Sequence, residues 1–263
     1  MNSVQKFISR LFFNVSADRS GNAFPPELQK ALKKSPHAGE RCDEAILRVR
    51  GLRSALMKDH TEITVNDLGA GPGERLVSKR KISNIARKST QPEKYSRLQY
   101  RLMQLTRPST VLELGTSLGL TTALLSMAHP EARIITIEGC ENTARLAQKN
   151  FSTLGVSDAV VQVTGPFEEV LDGVLSLYHP IDYIFFDGNH RMAPTLNYFL
   201  KSLNHISDKA VMVFDDIRWS DQMESAWDEI LKHPRIRCSV DLFGMGILFF
   251  DQTMPEGRHK IRY

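Results

Sequence analysis

The chain lacks a disulfide framework. Its three cysteines in 263 residues, Cys42, Cys140 and Cys238, stand singly with no C-x-x-C pair, and they read as reduced thiols of a cytoplasmic-type compartment. No apolar run approaches the roughly 18 residues that mark a membrane-spanning helix. Charge of one sign is also scarce: 34 Lys and Arg face 30 Asp and Glu, a formal +4, which favours anionic partners weakly and identifies none. What remains is a chain long enough to bury a sizeable core, as one large domain or one domain with an appendage.

Carboxylates at the ends of apolar runs are the informative presence. Ile181-Asp-Tyr-Ile-Phe-Phe186 stops at Asp187, and Ala210-Val-Met-Val-Phe214 stops at Asp215 and Asp216. Both runs are short, β-branched or aromatic, and followed by helical pattern, so they read as neighbouring parallel strands. In an open α/β sheet the ligand crevice lies outside the carboxyl ends of the strands. Three acids delivered there repel one another, and the usual remedy is Mg²⁺ or another hard divalent cation.

Upstream, Val111-Leu-Glu-Leu-Gly-Thr-Ser-Leu-Gly119 is an apolar strand running into a glycine-bearing turn, and Thr121-Thr-Ala-Leu-Leu-Ser-Met-Ala128 is the helix that follows. Gly115 and Gly119 let the backbone turn sharply and a ligand approach closely. A dinucleotide loop would read G-x-G-x-x-G; here Ser117 replaces the middle glycine and the acid Glu113 stands at the strand end. A pyrophosphate would be repelled. The ammonium and sulfonium of S-adenosylmethionine would be welcomed. Arg133-Ile-Ile-Thr-Ile137 then ends at Glu138, 25 positions after Glu113, where an acid can accept both ribose hydroxyls of an adenosine.

With these residues in view, 109–250 resembles a class I S-adenosylmethionine-dependent methyltransferase, and within that superfamily it is similar to the catechol and caffeoyl-coenzyme A O-methyltransferase group. Leu112-Glu-Leu-Gly-Thr-Ser-Leu-Gly119, Ala132-Arg-Ile-Ile-Thr-Ile-Glu138, Val163-Thr-Gly-Pro-Phe-Glu-Glu169, Asp182-Tyr-Ile-Phe-Phe-Asp187 and Val213-Phe-Asp-Asp216 carry the resemblance. It implies a Rossmann-like α/β fold: a seven-stranded, mostly parallel sheet with an antiparallel terminal hairpin, plus an N-terminal helical extension. It places Glu113 beside the methionine moiety and Glu138 on the ribose. Gly115, Thr116, Ser117, Gly119 and Thr121 would form the cofactor loop, Gly165, Pro166, Phe167 and Glu168 would border the adenine, and Asp187 would close the site. The group's metal ligands fall on Asp187, Asp215 and Asp216, the last usually Asn. Where the group often carries a catalytic Lys, this chain has His190.

The resulting division is 1–108 as an extension, 109–251 as the methyltransferase domain and 252–263 as a basic, solvated tail. Val4, Phe7, Ile8, Leu11 and Phe12 share one helical face with Lys6 and Arg10 opposite, which suits a helix docked on the domain or on a second subunit, hence a homodimer, or else a transit or interfacial segment. Gly21 to Pro26 reads as a linker, and Glu40 to Asp59 as a helix. Ile63-Thr-Val-Asn-Asp-Leu-Gly-Ala-Gly-Pro-Gly73 fits a nucleotide loop by spacing, but no apolar helix follows and Pro72 removes a donor. Lys79-Arg80-Lys81, Arg87-Lys88, Lys94, Arg97 and Arg101, with Tyr95 and Tyr100 between, form a solvated face or a phosphate contact. Asp221 and Glu224 are spaced as a capping box before a helix running to His233, and two strands around Gly244 close the sheet. Arg218 and Trp219, on the loop between, line an acceptor pocket or anchor packing.

The function that follows is in-line transfer of the sulfonium methyl to a hydroxyl of a small-molecule acceptor. Asp187, Asp215 and Asp216 hold a metal that lowers the hydroxyl's pKa, and His190 takes the proton. A methyltransferase for RNA or a carrier-bound substrate is the first alternative; after the fourth strand, however, Asp187-Gly-Asn-His190 stands where base methylation predicts a proline-aromatic motif. A non-catalytic adenosine-ligand binder is the second.

Overall fold

The computed structural model describes Phe13 and residues 39–67, 76–88 and 91–263. Residues 4–12, 21–26 and 68–73, where the docked helix, the linker and the tip of the glycine-rich loop are expected, lie outside them. In chain order the elements are α1 (Glu40–Leu56), β1 (Glu62–Asp67), β2 (Leu76–Lys81), α2 (Ile82–Lys88), α3 (Glu93–Thr106), β3 (Thr110–Leu114), α4 (Leu120–Ala128), β4 (Arg133–Glu138), α5 (Glu141–Leu154) and β5 (Val160–Thr164). They continue as α6 (Phe167–Tyr178), β6 (Ile181–Phe186), α7 (Met192–Ser202), β7 (Ile206–Asp215), α8 (Asp221–Ile230), β8 (Cys238–Asp241), β9 (Met245–Phe249) and β10 (Gly257–Lys260).

Period-two alternation of apolar residues gives each face of the sheet its own core. Val111, Ile134, Tyr183, Phe185, Val211 and Val213 meet α1, α3 and α4 on one face; Leu112, Leu114, Ile135, Ile184, Phe186 and Phe214 meet α6, α7 and α8 on the other. Each fully buried side chain of this kind contributes about 1.5–3 kcal/mol. The strand order is β10, β8, β9, β7, β6, β3, β4, β5. β3 pairs parallel with β4 and β6, β6 with β7, and β4 with β5, while β9 runs antiparallel to β7 and β8. The neighbouring parallel strands and the closing hairpin expected from the sequence are present.

Three details differ from the sequence reading. An eighth strand, β10, joins the sheet parallel to β8, so the basic tail is not simply solvated; Tyr263 is buried and stacks on Tyr95 with ring centroids 5.9 Å apart. α8 is capped by Ser220, whose hydroxyl accepts from Met223 N at 3.2 Å, instead of by Asp221, and Glu224 turns to Arg218 at 3.4 Å. β7 starts at Ile206, because Ile206 pairs with Ile181 across a register shift. The glycine-rich segment is flanked by β1 and β2, which pair antiparallel in their own small sheet.

Candidate active site

The chain leaves β3 at a topological switch, since β4 and β5 extend the sheet to one side and β6 and β7 to the other. Gly115 takes φ +108°, and a Cβ there would collide with the Asp187 carbonyl. Asp187 N–H also donates to Leu114 O at 2.9 Å, so the ends of β3 and β6 are closely joined. Ser117 is left-handed at φ 48°, and its N–H donates to Glu138 Oε2 at 2.8 Å; Cys140 N–H donates to Oε1 at 2.9 Å. Thr116 is buried with its hydroxyl 2.6 Å from that of Thr136. Gly119, at φ +73°, packs under the Phe151 ring and caps α4, and Thr121 sits half-buried in the helix's first turn.

Glu113 is 1% exposed. One of its oxygens accepts from the hydroxyls of Thr122 and of Thr136, its register partner on β4, the latter at 2.6 Å. The other oxygen, Oε1, is buried with no hydrogen-bond partner. Burial pushes this carboxyl up to about 7, with the two threonine bonds pulling down and the charge of Glu138 pushing up. A buried acceptor left without a donor costs about 1–3 kcal/mol, and a cationic ligand would relieve it.

The acids at the ends of β6 and β7 feel one another. Burial first, then the charges of Asp215, Glu113 and Asp216, hold Asp187 well above the ordinary carboxylate range. Burial and the charge of Asp216 push Asp215 up to about 7. His190 Nε2 stands 3.8 Å from Asp187 Oδ1, and burial lowers its pKa against the pull of Asp216, leaving a neutral imidazole at pH 7. α7 is capped at Arg191, the residue after His190, without a side-chain bond.

The expected metal set is not assembled. Among the described residues no three His, Cys, Asp or Glu side chains stand close enough to share an ion. Asp216 turns off the strand at φ 54°, a left-handed conformation that Asp tolerates better than most residues. Asp215 Oδ2 already accepts from Gln91 Nε2 at 3.3 Å. Strand-end position predicts that carboxylates share an edge; it does not fix where their oxygens point.

The segment expected at the adenine packs against the loop after β6. Gly165 N–H donates to Glu138 O at 2.9 Å, and Pro166 caps α6. The Phe167 ring lies so close to Gly188 that a Cβ there would come within 2.8 Å, and it meets Tyr198 edge-on at 5.4 Å. Glu168 accepts from the Tyr198 hydroxyl, which in turn accepts from Asn189 Nδ2 at 3.0 Å. Sequence reasoning missed this tie, the threonines on Glu113, and Gln91; only the register of β3 against β4 would have exposed Thr136.

Other expected contacts lie elsewhere. Arg218 is buried, bonded to both oxygens of Asp241 at 2.7 and 2.6 Å and packed on Phe13 and Phe243, whereas Trp219 is 55% exposed. The basic stretch divides: Lys94 donates to Tyr263 O and Arg97 pairs with Asp43 and Glu93, while Lys79, Arg80, Lys81, Arg87 and Lys88 are exposed. A cavity of about 390 Å³ between α5 and β5, lined by Arg145, Phe151 and Val160 among others, contains none of the strand-end acids of β3, β6 and β7. No helix among the described residues is long and apolar enough to cross a membrane.

Comparison with known proteins fits this architecture. A family described as a methyltransferase domain matches residues 112–217. The chain is 28% identical over 130 residues to the O-methyltransferase hkm8 of Aspergillus hancockii, covering 48% of this chain and 50% of that one. It is 31% identical over 118 residues to a catechol O-methyltransferase of Niastella koreensis, covering 44% and 52%. The chain thus spans about half the length of the curated relatives it matches. Among solved structures it resembles the O-methyltransferase from Bacillus cereus in complex with SAH, at TM-score 0.58 and 18% identity over 79% of this chain and 91% of that one. It also resembles TomG from Streptomyces achromogenes in complex with SAM, at TM-score 0.56 and 16% identity over 95% and 99%. At such identities the likeness concerns the fold.

Proposed function

We propose that this chain is a class I S-adenosylmethionine-dependent methyltransferase and that it methylates a hydroxyl of a small-molecule acceptor, a reading supported by the methyltransferase-domain match over residues 112–217. The observation that carries the reading is the pairing, at one switch point, of a buried acid with an unpartnered oxygen, Glu113, and a histidine, His190, 3.8 Å from the carboxyl group of Asp187. The first suits the cationic end of the cofactor. The second suits a hydroxyl that must lose its proton.

In this reading Glu138 accepts the ribose hydroxyls and Glu113 faces the ammonium, so the sulfonium methyl is held at the mouth between β3 and β6. Gly165 to Glu168 border the adenine. The acceptor oxygen attacks the methyl carbon, the carbon–sulfur bond breaks to leave S-adenosylhomocysteine, and the hydroxyl proton passes to His190. Asp187 steadies the imidazolium so formed, and Asp215 orients the hydroxyl. Holding both reactants at near-attack distance supplies most of the acceleration, and the base contributes roughly 10²- to 10⁴-fold. In this reading no step is routed through a metal; among the described residues no group of three His, Cys, Asp or Glu is placed to hold one.

The test is transfer of a radiolabelled methyl group to dihydroxybenzoate, a catechol, alongside unstructured RNA. The expected product carries the label on the catechol oxygen, His190→Ala lowers the rate by about 100-fold or more, and exhaustive chelation leaves it unchanged. Label on RNA and none on the catechol would favour the nucleic-acid alternative. Loss of transfer on chelation, restored by Mg²⁺, would return the three aspartates to a ligand role. Cofactor binding without transfer to any acceptor would leave a binding protein.

A further inference from the structure

Four buried polar side chains form a line from beneath the sheet to the crevice. The Tyr183 hydroxyl, on β6, donates to Gln99 Oε1 at 3.1 Å; Gln99 Nε2, on α3, donates to Gln91 Oε1 at 2.9 Å; and Gln91 Nε2 donates to Asp215 Oδ2 at 3.3 Å. Tyr183 and Gln99 are fully buried, and Gln91 and Asp215 are 7% and 8% exposed. Two primary amides in an apolar layer are a poor choice for stability alone, since any end left unpaired costs about 1–3 kcal/mol.

The line has a direction. The ionised Asp215 carboxylate at its near end can only accept, so Gln91 presents its NH₂ there and its oxygen to Gln99 Nε2, which leaves Gln99 Oε1 to accept from the Tyr183 phenol. Reversing either amide alone would set like groups against each other. One oxygen of Asp215 is thus held by a donor.

Gln91 also arrives by a route that concerns the site. Ile82, Ile85 and Ala86 of α2 pack with Leu118 and Leu120, the residues flanking Gly119 in the cofactor loop. Three residues after α2, Gln91 stands against the acid at the end of β7.

We propose that Gln91 is a positioning residue for methyl transfer: it holds Asp215 Oδ2 so that the other oxygen is presented to the acceptor hydroxyl, with Gln99 and Tyr183 fixing the amide's orientation. This rests on the function proposed above. A carboxylate turned by a small angle moves the hydroxyl off the line of attack, so the loss appears in turnover and leaves cofactor affinity untouched.

The test uses Gln91→Met, close in length but without the donor, and Tyr183→Phe, which removes the far hydroxyl without touching the crevice. Crystals of both variants and of the parent chain, grown with S-adenosylhomocysteine, are compared. Kinetics follow with dihydroxybenzoate. Gln91→Met is expected to rotate the Asp215 carboxylate and to lower kcat by about 10- to 100-fold, with unchanged cofactor affinity. Tyr183→Phe gives a smaller loss of the same kind and serves where Gln91→Met fails to fold. An Asp215 side chain that stays in place overturns the proposal, as does an unchanged kcat with the side chain moved. A parent chain inactive on the catechol overturns the proposed function instead, and the position of Asp215 in the variant crystals then decides the role of Gln91.

Discussion

Cofactor binding should expel a proton from Glu113. The unliganded carboxyl is pushed up to about 7 from an ordinary 4.5, chiefly by burial, so at pH 6 it is about nine-tenths protonated. An ammonium brought to its unpartnered oxygen favours the ionised form. If the group returns to its ordinary range, binding at pH 6 releases about 0.9 of a proton, and binding at pH 8.5 releases almost none. A shift of that size, about 2.5 units, corresponds to a coupling of about 3 kcal/mol between cofactor charge and carboxyl ionisation. Calorimetric titration with S-adenosylmethionine, in buffers of matched pH and different ionisation enthalpy, reads the proton count directly. Glu113→Gln should abolish the release and weaken binding. A zero count at pH 6, or the same count in Glu113→Gln, would refute the assignment of Glu113 to the cofactor's cationic end.

Glu113, Asp187 and Asp215 all have raised folded-state pKa values, so between the ordinary carboxylate range and about 7 the folded chain binds more protons than the unfolded one. Stability of the unliganded protein should therefore fall as pH rises through that window, read as a falling thermal midpoint, with a shallower fall in Glu113→Gln. Arg218→Ala would strand Asp241, at 7% side-chain exposure, without its bidentate partner; urea unfolding should show a loss of about 3–5 kcal/mol, and a loss near zero would contradict the pair's structural role. Gly115→Ala should abolish cofactor binding, because φ +108° and the Asp187 carbonyl both exclude a Cβ; Gly173→Ala, in α6 with nothing within 4 Å, should leave calorimetric affinity unchanged.

The parts of the fold legible in the sequence are those where local pattern and burial agree. β3, β4 and β6 are runs of apolar residues buried on both faces and bounded by acids or glycine, and their limits match the sequence reading closely. β10 escaped because Arg258, His259 and Lys260 carry no apolar signal; it pairs through its backbone with β8 and is followed by Tyr263, whose anchor on Tyr95 lies far away in sequence. In the site, the turn at Gly115 to Gly119 was readable from its glycines, and Gly115 and Ser117 do take positive φ there; the end of β4 at Glu138 was readable from the apolar run before it. For the three aspartates, adjacent strand ends bring Asp187 and Asp215 to one edge, but the left-handed turn at Asp216 and the Gln91 amide at Asp215 are tertiary facts that no local pattern carries. Gln91, before α3, and Gln99, within it, carry no sequence signal of their burial, since only packing on the Tyr183 side of the sheet turns them inward.

The claim on which the rest depends is that the strand-end acid of β4 holds the cofactor's ribose. Glu138→Ala removes the acceptor and also frees Ser117 N–H and Cys140 N–H. Loss of charge-assisted bonds worth about 3 kcal/mol predicts roughly a hundredfold rise in Kd. Isothermal titration of S-adenosylmethionine into the parent chain and Glu138→Ala, with thermal unfolding to confirm that the variant is folded, makes the test. The account predicts binding by the parent chain and roughly hundredfold weaker binding by the variant. Equal affinity in a folded Glu138→Ala would contradict it.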